Sequence, residues 1–282
     1  MPVIVVTDSS ARLPASLADR YSIVQVPLHL TAPDGTEYLE GVDDIPAHAI
    51  AQPGASTSGA NPQDLVEVYQ QAVEASDGDG VVAVHMSRRL SGTWAAARLA
   101  AAEIGETLRV VDSRTTGIAL GLTALAAAQA GKAGHDRDEV YETAIRAGAT
   151  SESLLCVQTL ENLRNSGRIS AASRLLGSAL AIKPILSISD GVLGLQERQR
   201  TMTKAVKRMV DTMVESVGDD AVTLAVQHCQ APELATEVHD QLIERLPEVT
   251  SSLIVELGAV LGVHVGPGAV GVTIGRDLLP VD

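Results

Sequence analysis

The sequence predicts an α/β protein in two parts: a parallel-sheet α/β part over residues 1–150 and an α+β part over residues 151–282. Three observations carry this. Short β-branched apolar runs alternate with helical stretches through the first half, the pattern of βαβ units joined by right-handed crossovers. Near residue 150 the alternation gives way to two adjacent strand-like runs joined by Asp190-Gly191, a hairpin turn signal. The chain has 282 residues, 45% of them hydrophobic and 20% charged, which suits one large or two ordinary domains with a buried core.

The first strand, over 3–7, is an unbroken run, Val3-Ile4-Val5-Val6-Thr7, as suits a strand buried on both faces. Asp8-Ser9-Ser10 follow, and Ser9 or Ser10 is placed to cap a helix over 13–20. A second strand covers 23–28. Residues 31–61 hold many Pro, Gly and Asp residues and read as an irregular insertion. Asn61 supplies an N-cap and Pro62 a first-turn proline for a helix over 63–75. A strand over 81–86, an Ala-rich helix over 93–104, a strand over 108–111 and helices over 116–130 and 137–149 complete the first half. The second half opens with a strand over 154–157. Two short helices follow over 160–176, broken at Gly167. Then come the hairpin over 184–189 and 192–196 and an amphipathic helix over 201–217. A strand over 222–229, a helix over 233–246 and strands over 252–257 and 269–274 end the chain. There is no internal repeat.

Composition narrows the function. With 21 Lys and Arg against 35 Asp and Glu, the net charge is −14. Such a surface repels phosphate backbones and anionic lipid, so nucleic acid is not a partner and membrane contact is at most transient. There is no Phe, one Trp and four Tyr, so the core is built from Ala, Val, Leu and Ile. Stacking platforms for single strands need exposed aromatic rings and are excluded on the same ground. Cys156 and Cys229 lie in separate apolar runs and outside any metal-binding spacing, so they read as buried free thiols with no metal site. The first residues have no basic region of a signal peptide, and no apolar run reaches the length of a membrane span. These features point to the cytoplasm.

Four segments carry polar groups at positions suited to a ligand. Leu90-Ser91-Gly92-Thr93-Trp94 follows a strand and opens a helix, where loops at the carboxyl end of parallel strands bind ligands and free N–H groups favour anions. Ser91 either caps that helix or presents its hydroxyl to an anion. Thr57 and Ser58 stand upstream of the Asn61 cap with hydroxyls free to donate. Asn165-Ser166-Gly167-Arg168-Ile169 puts one of the scarce arginines in a break between helices, facing either solvent or inward. His264-Val265-Gly266-Pro267-Gly268 is a Gly/Pro-rich loop that fits neither a P-loop nor a dinucleotide fingerprint. His264 bonds either an anion or local backbone.

Taken in order, T-D-S-S, T-S, L-S-G-T-W, V-D-S, N-S-G-R-I and H-V-G-P-G-A-V-G-V resemble the DegV family from about Val3 to Ile274. That family comprises fatty-acid-binding proteins that work with a bacterial fatty acid kinase. The resemblance implies two α/β lobes with one long-chain fatty acid in a tunnel between them. It implies a carboxylate site formed by Thr57, Ser58, Ser91, Gly92, Thr93, Arg168 and His264. It implies no catalytic residue, no cofactor beyond the bound lipid, and a kinase catalytic subunit as partner. One departure is visible. The family often shows T-S-Q-P-S, whereas this chain reads Thr57-Ser58-Gly59-Ala60-Asn61-Pro62, so either Thr57 or Ser58 holds the carboxylate. Negative charge near His264 would favour its protonated form.

The physics is consistent with that implication. Each buried methylene contributes ~0.8 kcal/mol, so about fifteen give on the order of 12 kcal/mol before association costs are subtracted. The carboxylate must stay hydrogen-bonded, because burying a bare one is prohibitive. Two other readings compete. A serine esterase or acyl transferase would use Ser91 with His264, which requires a base on Ser91 and a carboxylate orienting the histidine. A binder of small anions or sugar phosphates would need more Lys and Arg near the glycine loops than the chain offers.

Overall fold

The computed structural model describes residues 2–171, 182–276 and 278–280. It contains the two parts that the sequence predicts, a parallel-sheet α/β part and a separate mixed sheet. In the first, strands β1 (Ile4–Asp8), β2 (Val24–Val26), β6 (Val81–His85) and β7 (Leu108–Asp112) form an all-parallel sheet in the order β2-β1-β6-β7. β6 is buried at every position, as its continuous Val-rich run requires. Helices α3 (Pro62–Ala75) and α4 (Thr93–Ile104) pack on each other and on this sheet, as do α5 (Ile118–Lys132) and α6 (Arg137–Thr150).

The second sheet has six strands in the order β10-β9-β8-β13-β11-β12. These are β8 (Glu152–Cys156), β9 (Lys183–Ser189), β10 (Val192–Gln199), β11 (Ala221–His228), β12 (Glu248–Glu256) and β13 (Val270–Gly275). Only β11 and β12 pair in parallel; the other neighbours are antiparallel. Asp190 and Gly191 close the β9–β10 hairpin with φ of 49° and 77°, the double left-handed geometry of a type I′ turn. Helices α8 (Met202–Val217) and α9 (Pro232–Arg245) bury Met209, Val210, Val238 and Leu242 against this sheet. Helix α5 touches β1 and β6 of one sheet and β13 of the other, and is buried almost throughout.

Several local expectations change. The serines after β1 do not cap the next helix, α1 (Ala15–Arg20), whose N-cap is Pro14 with no side-chain bond. Instead Asp8 caps a 3-10 turn, Ser9–Ala11, and both serines are buried. The irregular insertion contains a third, antiparallel sheet, β4-β3-β5, and the short helix α2 (Ala47–Ala51). Its strands, β3 (His29–Thr31), β4 (Glu37–Leu39) and β5 (Ser56–Ser58), have three residues each, too few for a period-2 pattern to show. Residues before His264 form a helix, α10 (Gly258–Val265), that is apolar nearly all round and therefore lacks an amphipathic signature. Of the two helices expected over 160–176, the first is α7 (Glu161–Asn165); the second, beyond Ala171, lies outside the described residues. Asn61 accepts from the N–H of Gln63 with Pro62 in the first turn, as expected. Cys156 and Cys229 are buried free thiols, and burial pushes both up to about 12. Among the described residues, no helix is long and apolar enough to cross a membrane.

Candidate functional site

A cavity of about 120 Å³ lies between the parallel sheet, the mixed sheet and α10. Most of its wall is aliphatic: Leu28, Leu90, Leu154, Leu186, Leu193 and Val260 are among the lining residues. The polar groups gather mainly at one end. Thr57, Ser58, Ser91, Gly92, Arg168 and His264, far apart in sequence, all line it. Thr93 is the exception: it is fully buried behind Ser91 and is not part of the lining.

Each side chain owes its position to a local feature. Pairing of β5 with β3 sets Thr57 opposite Leu30 and turns it inward, while its neighbours Ser56 and Ser58 are exposed. The alternation of a strand thus separates Thr57 from Ser58. Ser91 stands one residue before the N-cap Gly92 of α4. Its Oγ accepts from the N–H of Thr93 at 3.2 Å and shares a hydrogen bond with Thr93 Oγ1 at 2.9 Å. The two readings of Ser91 are therefore both satisfied: it assists the helix start and lines the cavity. Gly59 lets β5 approach this turn, since a Cβ there would lie 2.7 Å from Thr93 Oγ1 and 3.0 Å from its nitrogen.

His264 occupies the last turn of α10 rather than a loop. Its Nε2 hydrogen-bonds Thr57 Oγ1 at 2.8 Å, and its Nδ1 is buried with no partner among the described residues. Burial first, and then the charge of Arg168, push the imidazole down to about 4. Among the protein's own groups the ring is neutral at pH 7, the reverse of the charge that a neighbouring carboxylate would favour. Arg168 reaches across from the segment after α7. Its Nε donates to the carbonyl of Leu90 at 3.4 Å and its Nη1 to that of Ser166 at 2.6 Å. Both bonds go to main-chain carbonyls, so no carboxylate among the described residues neutralises its charge.

Thr57, Arg168 and His264 also line a surface groove of about 490 Å³ that runs past Ser56, Asn162 and Asn165. The polar end is therefore a thin wall between the cavity and the outside. No cluster of His, Cys, Asp and Glu suited to a metal ion occurs among the described residues.

The sequence profile of the family described as "Uncharacterised protein, DegV family" matches residues 2–277. This chain belongs to the DegV family. A DegV domain-containing protein of Mycobacterium tuberculosis is 47% identical over 274 residues, which cover 97% of each chain. A DegV family protein from Thermus thermophilus, described for its fatty acid binding, has a TM-score of 0.91 at 28% identity, over 98% of this chain and 100% of that one. A DegV family protein from Ruminococcus gnavus, refined with vaccenic acid, has a TM-score of 0.81 at 28% identity, over 96% of this chain and 99% of that one.

On this DegV fold, several cavity residues escape sequence reasoning. Leu28, Met86, Val260 and Leu261 line the wall but read in sequence as ordinary core. Thr116 and Gln227 also bring polar atoms to the wall, and the Thr116 Oγ1 is buried without a partner among the described residues. Gln227 carries a signal that could have been used, a lone amide inside the apolar run of β11. Its Oε1 accepts from the N–H of Ile118 at 3.1 Å, opposite Gly117, whose φ of 63° and lack of a side chain admit the amide.

Proposed function

We propose that this chain binds one long-chain fatty acid in the aliphatic cavity and presents its carboxylate to a separate ATP-dependent kinase subunit. A carboxylate oxygen attacks the terminal phosphorus of ATP on that subunit, giving an acyl phosphate and ADP. Residues 1–150 and 151–282 act as the two lobes around the lipid, the protein works in the cytoplasm, and it transforms nothing by itself. The observation that carries this reading is the gathering of Thr57, Ser91, Arg168 and His264 at one end of a cavity whose wall is mostly aliphatic. The fatty acids described for the Thermus thermophilus and Ruminococcus gnavus proteins support the ligand class.

In this reading Thr57 and Ser91 donate hydroxyls to the carboxylate, the N–H groups after Gly92 add to them, and Thr93 holds Ser91 in place. The carboxylate draws a proton onto His264, whose Nε2 then donates to Thr57 and whose Nδ1, without a partner among the described residues, donates to the anion, and Arg168 offsets the anion or meets the incoming phosphates. The groove beyond these residues gives the kinase its access. The esterase alternative draws no support from the geometry. Ser91 bonds to Thr93 rather than to a base, and no carboxylate orients His264 among the described residues.

Native mass spectrometry of protein purified without added lipid tests the ligand: a co-purified C14–C18 acid is expected. Arg168→Ala should depress acyl phosphate formation with the kinase more than it depresses lipid binding. Rapid hydrolysis of a nitrophenyl ester by the isolated chain, abolished by Ser91→Ala and His264→Ala, would replace the carrier with the esterase.

A further inference from the structure

The Asp8-Ser9-Ser10 segment is not among the residues lining the cavity, yet its buried polar atoms hold the main chain of two cavity residues and, through Glu40, reach a third. The N–H of Met86 donates to Asp8 Oδ2 at 3.0 Å. The N–H of Leu28 donates to Ser9 Oγ at 3.1 Å. The same Ser9 hydroxyl donates to Glu40 Oε2 at 2.7 Å, and Glu40 Oε1 accepts from the N–H of Val260 at 3.0 Å. Met86 follows β6, Leu28 lies between β2 and β3, Val260 is in α10, and all three line the cavity.

Two braces keep these acceptors in place. Asp8 also accepts from the N–H and Oγ of Ser10 and bonds His85 Nδ1 at 3.0 Å. His85 Nε2 bonds the Tyr69 hydroxyl at 2.7 Å, which ties Asp8 to α3. With the ring proton on Nδ1 and the tyrosine donating to Nε2, both ring nitrogens and every side-chain donor along this relay have a partner. Glu40 is braced by Arg12, whose Nη1 lies 3.6 Å away and whose Nε donates to the carbonyl of Glu256 at 2.9 Å. Gly258 permits this, since any Cβ there would collide with Glu40 and Arg12.

We propose that Asp8, Ser9 and Glu40 are positioning residues that set the width of the acyl slot by fixing Met86, Leu28 and Val260, without touching the ligand. The proposal rests on the reading of that cavity as the acyl slot. Packed apolar walls tolerate sliding, whereas a directional bond to each N–H does not, so the polar frame defines the register of three otherwise interchangeable aliphatic surfaces.

The test compares Ser9→Ala with Ser76→Ala. Ser76 is as buried as Ser9 and also makes two hydrogen bonds, to the carbonyl of Val73 and from the N–H of Gly80, but holds no cavity residue. Affinities for a fluorescent C18 acid and for anilinonaphthalene sulfonate are measured beside melting temperature. Both variants should lose similar stability. Only Ser9→Ala should weaken both probes fivefold or more and shift the preference between C14 and C18 acids. Glu40→Ala should do the same, and Glu40→Gln, which keeps an acceptor for Val260, should recover most of the affinity. Probe affinities of Ser9→Ala and Glu40→Ala within twofold of the wild type would overturn the proposal, as would a wild type that binds neither probe. Binding of the dye but not the acid would instead sink the acyl reading, and the dye series alone would then decide this inference.

Discussion

Two polar clusters of this protein use nearly the same residue types and end in opposite states. Around Asp8, an acid, a serine, a histidine and a tyrosine are shut away from solvent, and each of their polar side-chain atoms has a partner. Around Thr57, two hydroxyl residues, a histidine and an arginine are half-buried, and the histidine keeps one nitrogen without a partner among the described residues. A saturated cluster has nothing left to offer a ligand and serves as framework. An unsaturated one in a low-dielectric wall is costly unless something arrives to complete it. The number of partners used, rather than the kind of residue, separates scaffold from site.

The largest effect that tests this contrast is Asp8→Ala. It strands the N–H groups of Met86 and Ser10, the Ser10 hydroxyl and His85 Nδ1 together. Loss of about 3–5 kcal/mol of stability in urea melts is expected. A loss below about 1 kcal/mol would remove the framework role.

The unsaturated cluster predicts a pH effect instead. His264 is held at about 4 in the folded chain, against about 6.5 unfolded. Between those values the unfolded chain binds more protons, so stability falls as pH drops from about 7 towards 4 and is indifferent above 7. The loss attributable to this residue is at most about 3 kcal/mol, read as the difference between the wild type and His264→Gln. A fatty acid should raise the His264 value, followed by NMR of the ring protons; a value unmoved by saturating lipid would place the carboxylate elsewhere.

Next in size are Thr57→Ala and Ser91→Ala. Each should weaken fatty acid binding tenfold or more, since a hydrogen bond to a charged group contributes about 1.5–3 kcal/mol. Each variant also loses an internal hydrogen bond, so melting temperature should fall, but by less than in Asp8→Ala. The smallest effect is Ser58→Ala. Ser58 is exposed beside the inward Thr57, so affinity and stability should stay within about 0.5 kcal/mol. A strong Ser58 effect would reverse the assignment between these neighbours.

The same contrast explains what could be read in advance. Long elements with full burial or clear periodicity, such as β6 and α8, were legible because their patterns repeat over many residues. The motif segments were legible as hydroxyls, Arg and His in loops near helix starts. The difference between Thr57 and Ser58 was not, because it depends on pairing with Leu30 in a strand of three residues. The role of Asp8-Ser9-Ser10 was hidden for another reason: its partners Glu40, His85 and Tyr69 lie 16 or more positions away from one another in sequence. α10 was missed because an apolar helix enclosed on nearly every side has no polar face to mark its period.

The position of β13 has a consequence for how the chain acquires its structure during synthesis. It is the last of the described strands to be synthesised, yet it sits between β8 and β11 in the middle of the second sheet and covers part of α5. Until it emerges, β8 and β11 both present open edges, and α5 presents bare aliphatic surface to solvent or to a chaperone. Pairing of residue 152 with residue 274 closes a loop of more than a hundred residues, a slow step. The nascent protein thus passes through a late interval in which a helix that is buried almost throughout in the folded chain is least protected, and crowding or stalling in that interval is where aggregation would begin.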